Sequence, residues 1–213
     1  MMQPVYISTT YLGPVQQYCK LFQYPEVHLE TAENYIKQTY RNRCTIAGPD
    51  GELALSIPTV KPDTLKCPMK DIRISDHGNW RHLHWNAIES AYNNTPFFEY
   101  YKDDFRPFYE KKYEFLIDFN EEICRLVCQL IDIQPNIERT SAYKMEFSAE
   151  ETDFRESIHP KKDFRTTDPE FSPQPYYQVF ESKLGFLPNL SIIDLLFNMG
   201  PESLLVLKKP TRL

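Results

Sequence analysis

VYISTTYLGPVQQYCKLF, residues 5 to 22, reads as strand, loop and helix in succession. Val5 to Ile7 is a short apolar run suited to a buried strand, Ser8-Thr9-Thr10 is small and polar, and Gly13-Pro14 precedes an amphipathic helix ending near Phe22. Free backbone amides at such a helix start favour anions. A single glycine is not a glycine-rich phosphate fingerprint, so a phosphate site and an ordinary connection both stay open at Ser8 to Gly13.

Outward from this unit, Glu26 to Glu30 alternates as a half-buried strand would. Arg43 to Ile46 and Glu52 to Ile57 flank Gly48-Pro49-Asp50-Gly51, which predicts a β-hairpin on turn chemistry. A further strand is expected at Asp71 to Ser75. Helical patterning then covers Trp80 to Tyr92, breaks at Pro96, resumes over Asp103 to Tyr113, and is strongest from Phe119 to Ile131, where Ile123, Leu126, Val127 and Leu130 share a face. Ile137 to Tyr143 returns as a strand, and the charged, proline-bearing stretch 144–175 reads as a long surface loop or lid. Strands interleaved with helices predict an α/β fold for residues 1–213, one domain with a mixed sheet and flanking helices, while the hairpin keeps α+β as the alternative.

With 213 residues, 41% apolar content, 14 Phe and 14 Tyr, the chain can bury an aromatic-rich core without staples. Its net charge of −6 argues against a nucleic-acid surface, which needs an excess of Lys and Arg. No apolar run approaches the roughly 20 residues that span a bilayer, and the first residues are not a basic, apolar leader, so no membrane insertion and a cytoplasmic location are expected. Cys19, Cys44, Cys67, Cys124 and Cys128 are odd in number and lack paired short spacing, so neither a disulfide framework nor a CxxC zinc site is predicted. Cys124 and Cys128 fall on one helix face, as two core thiols or as a pair with a metal or redox role.

Three segments could carry chemistry. In ENYIKQTYRNRC, Glu33 to Cys44, the cations Lys37, Arg41 and Arg43 stand among Tyr40, Asn42 and other amides, a set suited to a phosphate or carboxylate, or else to a solvated strand edge. His82 and His84 are two apart and diverge on a helix, which disfavours a metal; His84 is instead a candidate general base, with Trp85 beside it to stack on a ring. In GFLPNLSIIDLLFNMGPES, Gly185 to Ser203, Ser191 and Asp194 have capping-box spacing and Gly200-Pro201 is a stop signal. The helix between is apolar all round and should be buried, so Asn189, Ser191, Asp194 and Asn198 either serve the local backbone or form the floor of a binding site. No nucleophile-elbow, P-loop or HExxH signature occurs.

YLGPVQQYCKL, NYIKQTYRNRCTI, the hairpin ending LSIP, HWNAIESAYNNTPFFEYY, LIDFNEEI and above all GFLPNLSIIDLLFNMGPES together resemble the WbqC-like protein family along nearly the whole chain. The chain departs from that pattern at Ser8-Thr9-Thr10, where a His-Gln-Pro run is usual, at Thr31-Ala32, where an acidic pair is usual, and at the charged stretch DFRESIHPK in place of a Gly-containing segment. The resemblance implies a transferase of aminoacyl or acyl type acting on an activated sugar or its acyl donor in surface-polysaccharide and O-antigen assembly; cofactor and oligomeric state are left open. Tyr40, Asn42, Arg43, His84, Trp85, Asn189, Ser191 and Asp194 are the positions it carries over. In that reading Lys37, Arg41 and Arg43 grip a phosphorylated donor, Trp85 packs on a ring, and His84 or Asp194 takes a proton. The alternative is a non-catalytic protein of the same pathway that binds a sugar nucleotide, or a partner through the aromatic run from Asn93 to Tyr113.

Overall fold

A computed structural model describes residues 3–208, apart from residues 63 and 65. Its strands are β1 (Val5–Ser8), β2 (Val27–Glu30), β3 (Arg43–Gly48), β4 (Gly51–Ser56), β5 (Ile137–Arg139) and β6 (Thr152–Asp153). The helices are α1 (Val15–Gln23), α2 (Trp80–Tyr92), α3 (Phe98–Glu110), α4 (Leu116–Leu130), α5 (Phe164–Thr167), α6 (Glu181–Leu184), α7 (Ile192–Met199) and α8 (Ser203–Lys208). The architecture is α/β with parallel and antiparallel strands and flanking helices. Among the described residues no helix is long and apolar enough to cross a membrane.

Four strands form a parallel sheet in the order β5-β2-β1-β6, and β3 and β4 pair antiparallel as a separate hairpin. Ile7, Leu29 and Arg139 lie in register across three strands. Because side chains alternate across a strand, Ile7 and Leu29 point to the face covered by α1 and α4, and Tyr6 and His28 point to the other, where they stack on each other and Tyr6 meets Phe147 edge-on. The chain builds outward from β1 through β2 to β5, then crosses back to add β6 on the opposite side of β1. The gap between β1 and β6 is therefore the point where connection direction reverses, and its carboxyl side is where open parallel sheets accept ligands.

Two expectations need correction. Asp71 to Ser75 alternates buried and exposed residues but is not a strand: Met69–Asp71 is a 3-10 turn, and Arg73 and Ile74 make only isolated bridges to Phe115 and Thr59. Prolines at 58, 62 and 68 interrupt any longer ladder. The helix expected from Asp103 begins earlier, at Phe98, and carries Pro107 in its last turns. The stretch 144–175 holds little regular structure yet sends Phe154, Arg155, Ile158, Asp168 and Phe171 into the interior. Asp168 pairs with Lys20 of α1 at 2.9 Å, both side chains sealed from solvent, and Gln16 Nε2 adds a bond of 2.8 Å.

The polar residues of the C-terminal block lock onto the first loop. Asn189 accepts from the Gln16 N–H at 2.9 Å through its side chain, the Val15 N–H donates to Leu190 O, and Ser191 Oγ donates to Leu12 O at 2.7 Å. This holds Leu12 at a φ of 43°, in the left-handed region. Gly200 has a φ of 55°, and a Cβ there would stand 2.4 Å from the Phe97 ring. Gly200→Ala is expected to destabilise by about 2–3 kcal/mol, from left-handed strain of roughly 1–2 kcal/mol plus a displaced ring. A urea midpoint that does not move would show that neither the backbone at Gly200 nor the Phe97 ring resists the added methyl.

Candidate active site

At the carboxyl end of β1 the chain passes through Ser8, Thr9 and Thr10, all buried. On one side of this segment lies a charged cluster. Arg41 is 2% exposed and lays its guanidinium against Glu33 in bidentate fashion, Nε to Oε1 at 2.8 Å and the terminal nitrogen to Oε2 at 2.6 Å. The same terminal nitrogen reaches Ser8 Oγ at 2.8 Å and Glu156 Oε1 at 3.2 Å. Arg155 binds Glu30 at 2.9 Å and Asp153 at 2.9 Å, and the rings of Tyr143 and Phe147 cover it. Two guanidinium groups thus face the carboxylates of Glu30, Glu33, Asp153 and Glu156. Glu30 and Glu33, on either side of Thr31-Ala32, supply two buried carboxylates. The cluster fills the β1–β6 switch point so fully that about 10 Å³ is left there, room for a single water at most.

On the other side of Thr9, Thr10 and Gln17 opens a cavity of about 470 Å³, the size of a small-molecule site. Ile7 and Leu29 of the sheet form its floor, Leu21 of α1 one wall, and Asn120, Cys124 and Cys128 of α4 the facing wall. Glu121, Arg125, Asp132 and Arg139 stand around it. Arg139 is committed to Glu121 at 2.7 Å and Asp118 at 3.1 Å, whereas Arg125 is exposed. Asn120 is 1% exposed, donates through Nδ2 to Arg41 O at 2.8 Å, and has an Oδ1 with no hydrogen-bond partner among the described residues. A buried acceptor left open beside a cavity is a place for a ligand N–H or O–H. Cys124 and Cys128 sit one turn apart on this wall, with Tyr18 of α1 buried close by. Donation from Cys128 draws the Cys124 thiol below its ordinary range despite burial, and the same bond pushes Cys128 up.

The three segments singled out in the sequence do not meet in one hollow. Lys37 is exposed, Arg43 bonds Ser56 Oγ at 2.9 Å on the hairpin edge, and Arg41 is spent on Glu33, so no three-cation grip forms. Tyr40 and Asn42 are buried, with Asn42 Nδ2 bonded to Ile57 O at 2.9 Å. His84 is buried and bonds the Tyr11 hydroxyl at 3.0 Å, which in turn meets Tyr109 at 2.9 Å. Burial pushes its pKa down to about 4, against a weaker opposing bond to the Ser56 backbone. Trp85 is half-buried against Phe98 and Tyr109, facing a different, open groove beside Arg81 and Arg106. His82 is exposed and bonds Asn86.

Asp194 is 0% exposed and does not close a capping box, since Ser191 Oγ is turned to Leu12. Its oxygens accept from Tyr92 at 3.0 Å, Tyr176 at 2.7 Å and Gln178 at 2.9 Å. Burial raises its pKa to about 6, with those three donors pulling against it. Asn198 bonds Asp194 O and the Val179 N–H, so this block forms a floor for the fold and not for the cavity. The first three amides of α1 all go to protein acceptors, which closes the anion site considered at Ser8 to Gly13. The aromatic run from Asn93 places Phe98, Phe105 and Tyr109 in the core and leaves Tyr100 exposed. What the sequence did offer, and a reading for apolar periodicity passes over, is a polar Asn120 at four-residue spacing from Cys124 and Cys128.

A family model for the WbqC-like protein family matches residues 10–158. An uncharacterised protein of Mycobacterium tuberculosis (strain ATCC 25618 / H37Rv), Rv1507c, is 24% identical over 189 residues, covering 79% of this chain and 81% of that one. No solved structure matches. The block from Gly185 to Ser203 lies beyond the matched region, whereas the threonine loop from Thr10, the Glu33–Arg41–Arg155 cluster and the α4 wall of the cavity lie within it. On that match, which takes in more than half of its length, the chain belongs to the WbqC-like protein family.

Proposed function

We propose that this protein is a transferase of acyl or aminoacyl type that acts on an activated sugar in surface-polysaccharide assembly, with the sugar or its donor held in the cavity beside Thr9, Thr10 and Asn120. The observation that carries this reading is the 470 Å³ hollow between the face of the parallel sheet and α1 and α4, with an unpartnered acceptor on its wall. Its lining of Ile7, Leu21 and Leu29 suits the apolar face of a ring, and the threonine and amide groups suit hydroxyls. Exposed Arg125 at its edge is placed for the phosphate of an activated sugar, a charge-assisted contact.

Calorimetry of the protein against a panel of nucleotide-sugars tests this. Binding by the wild type is expected, weakened about tenfold or more by Arg125→Glu, roughly 1.4 kcal/mol or above. Lys37→Glu, on the exposed segment away from the cavity, should leave affinity unchanged. Equal loss in both variants, or no binding at all, would remove the cavity as the site.

A further inference from the structure

Asn120, Cys124 and Cys128 occupy successive turns of one face of α4, and all three line the cavity. Cys124 is half-buried where Cys128 is 5% exposed, so the former is the thiol a ligand can reach. Cys128 one turn on and Tyr18 of α1 neighbour it and pull its thiol below the ordinary range. One turn away, Asn120 Oδ1 stands open as an acceptor for an N–H or O–H, and neighbouring turns of a helix place side chains about 5–6 Å apart. A nucleophilic sulfur and a docking point for a hydroxyl or amine are thus set side by side in one enclosure.

The geometry points to Cys124 as an acyl-accepting nucleophile: the cavity takes an acyl group from an activated ester or thioester onto sulfur and passes it to an amine or hydroxyl held on Asn120. This rests on the cavity being the ligand site. In the first step the Cys124 thiolate, its proton having gone to water at the cavity mouth, attacks the acyl carbonyl carbon. The C–S bond forms, the bond to the leaving alcohol or thiol breaks, and the leaving group departs with the electron pair and takes a proton from water. In the second step the amine or hydroxyl attacks the thioester carbonyl, its bond to carbon forms as C–S breaks, sulfur leaves as the thiolate, and the attacking group's proton passes to water. No oxidant or reductant is consumed.

The full-length protein treated with p-nitrophenyl acetate should release a burst of about one nitrophenolate per chain. The acetyl group should map to the peptide carrying Cys124 and be cleaved by hydroxylamine. Cys124→Ser should abolish the hydroxylamine-labile adduct and the burst, and Cys67→Ser should preserve both, because Cys67 lies outside the cavity. Cys128→Ala should raise the pH midpoint of Cys124 alkylation by iodoacetamide, a readout that loss of packing alone would not shift upward. A burst that Cys124→Ser retains, or no burst in the wild type, overturns the nucleophile. If nucleotide-sugar binding persists in calorimetry with Cys124→Ala while the burst is absent from the wild type, the nucleophile alone fails and the binding site stands.

Discussion

Arg41→Ala is expected to cost about 3–5 kcal/mol, enough to threaten folding of a domain of ordinary stability. The loss comes less from the missing contacts than from what stays behind. Glu33, 5% exposed, would keep a carboxylate with only the Ser8 hydroxyl to meet it. Taking both charges away is a different experiment: Arg41→Met with Glu33→Leu replaces the pair by apolar groups of similar volume and should recover most of the loss, since buried pairs repay little beyond their own desolvation. Denaturant midpoints of the two singles and the double form a thermodynamic cycle. If the double is no more stable than Arg41→Ala alone, the cluster does more than neutralise itself, and the remaining contacts to Glu156 and Ser8 carry the stability.

Removing the Asp194 carboxylate should be as damaging at neutral pH. Asp194→Ala strands three buried donors, Tyr92, Tyr176 and Gln178, at about 1–3 kcal/mol each before relaxation, for a total of roughly 3–5 kcal/mol. The pH signature is more specific. With a folded pKa of about 6 against an ordinary 3.8, the folded state binds the proton more tightly than the unfolded state does. This group therefore stabilises most below the unfolded value, and its contribution falls as pH rises toward 6, by about 3 kcal/mol over the window. His84 runs the other way, because its folded pKa of about 4 lies below the ordinary 6.5. Its contribution is complete above the unfolded value and is lost as pH falls toward 4. Between pH 4 and 6 the two slopes oppose each other. Melting temperature measured against pH should thus rise with pH more steeply in Asp194→Asn than in wild type, and fall with pH in His84→Gln. Parallel curves for all three proteins would refute the assigned protonation states.

The backbone plan was legible where local chemistry is strong. The run from Val5 to Phe22, the Gly48-Pro49-Asp50-Gly51 turn and the stripe of α4 each specify an element by period or turn type. Pairing across distance was not legible: β6 has two residues, Thr152 and Asp153, with no alternating pattern, and exists only because β1 offers an open edge. Candidate site residues failed for a related reason. Arg41 in a run of cations looks free until Glu33 and Glu156 arrive from other segments, and Asp194 looks like a cap until Tyr92, Tyr176 and Gln178 converge on it. Polarity inside an apolar helix marked these residues as important but did not separate fold-holding from ligand-holding. Asn120 differs from Asp194 only in what its neighbours leave undone, and no sequence pattern records an unmade hydrogen bond.

Asn189 completes the start of α1 from a position 173 residues further along the chain, and Ser191 fixes Leu12 across 179. During synthesis the opening strand–loop–helix unit therefore leaves the ribosome without its fastener and waits for those later residues before the loop beside the cavity can set. Such long-range closure makes assembly slow and leaves the early parallel strands exposed to wrong pairings in the interval.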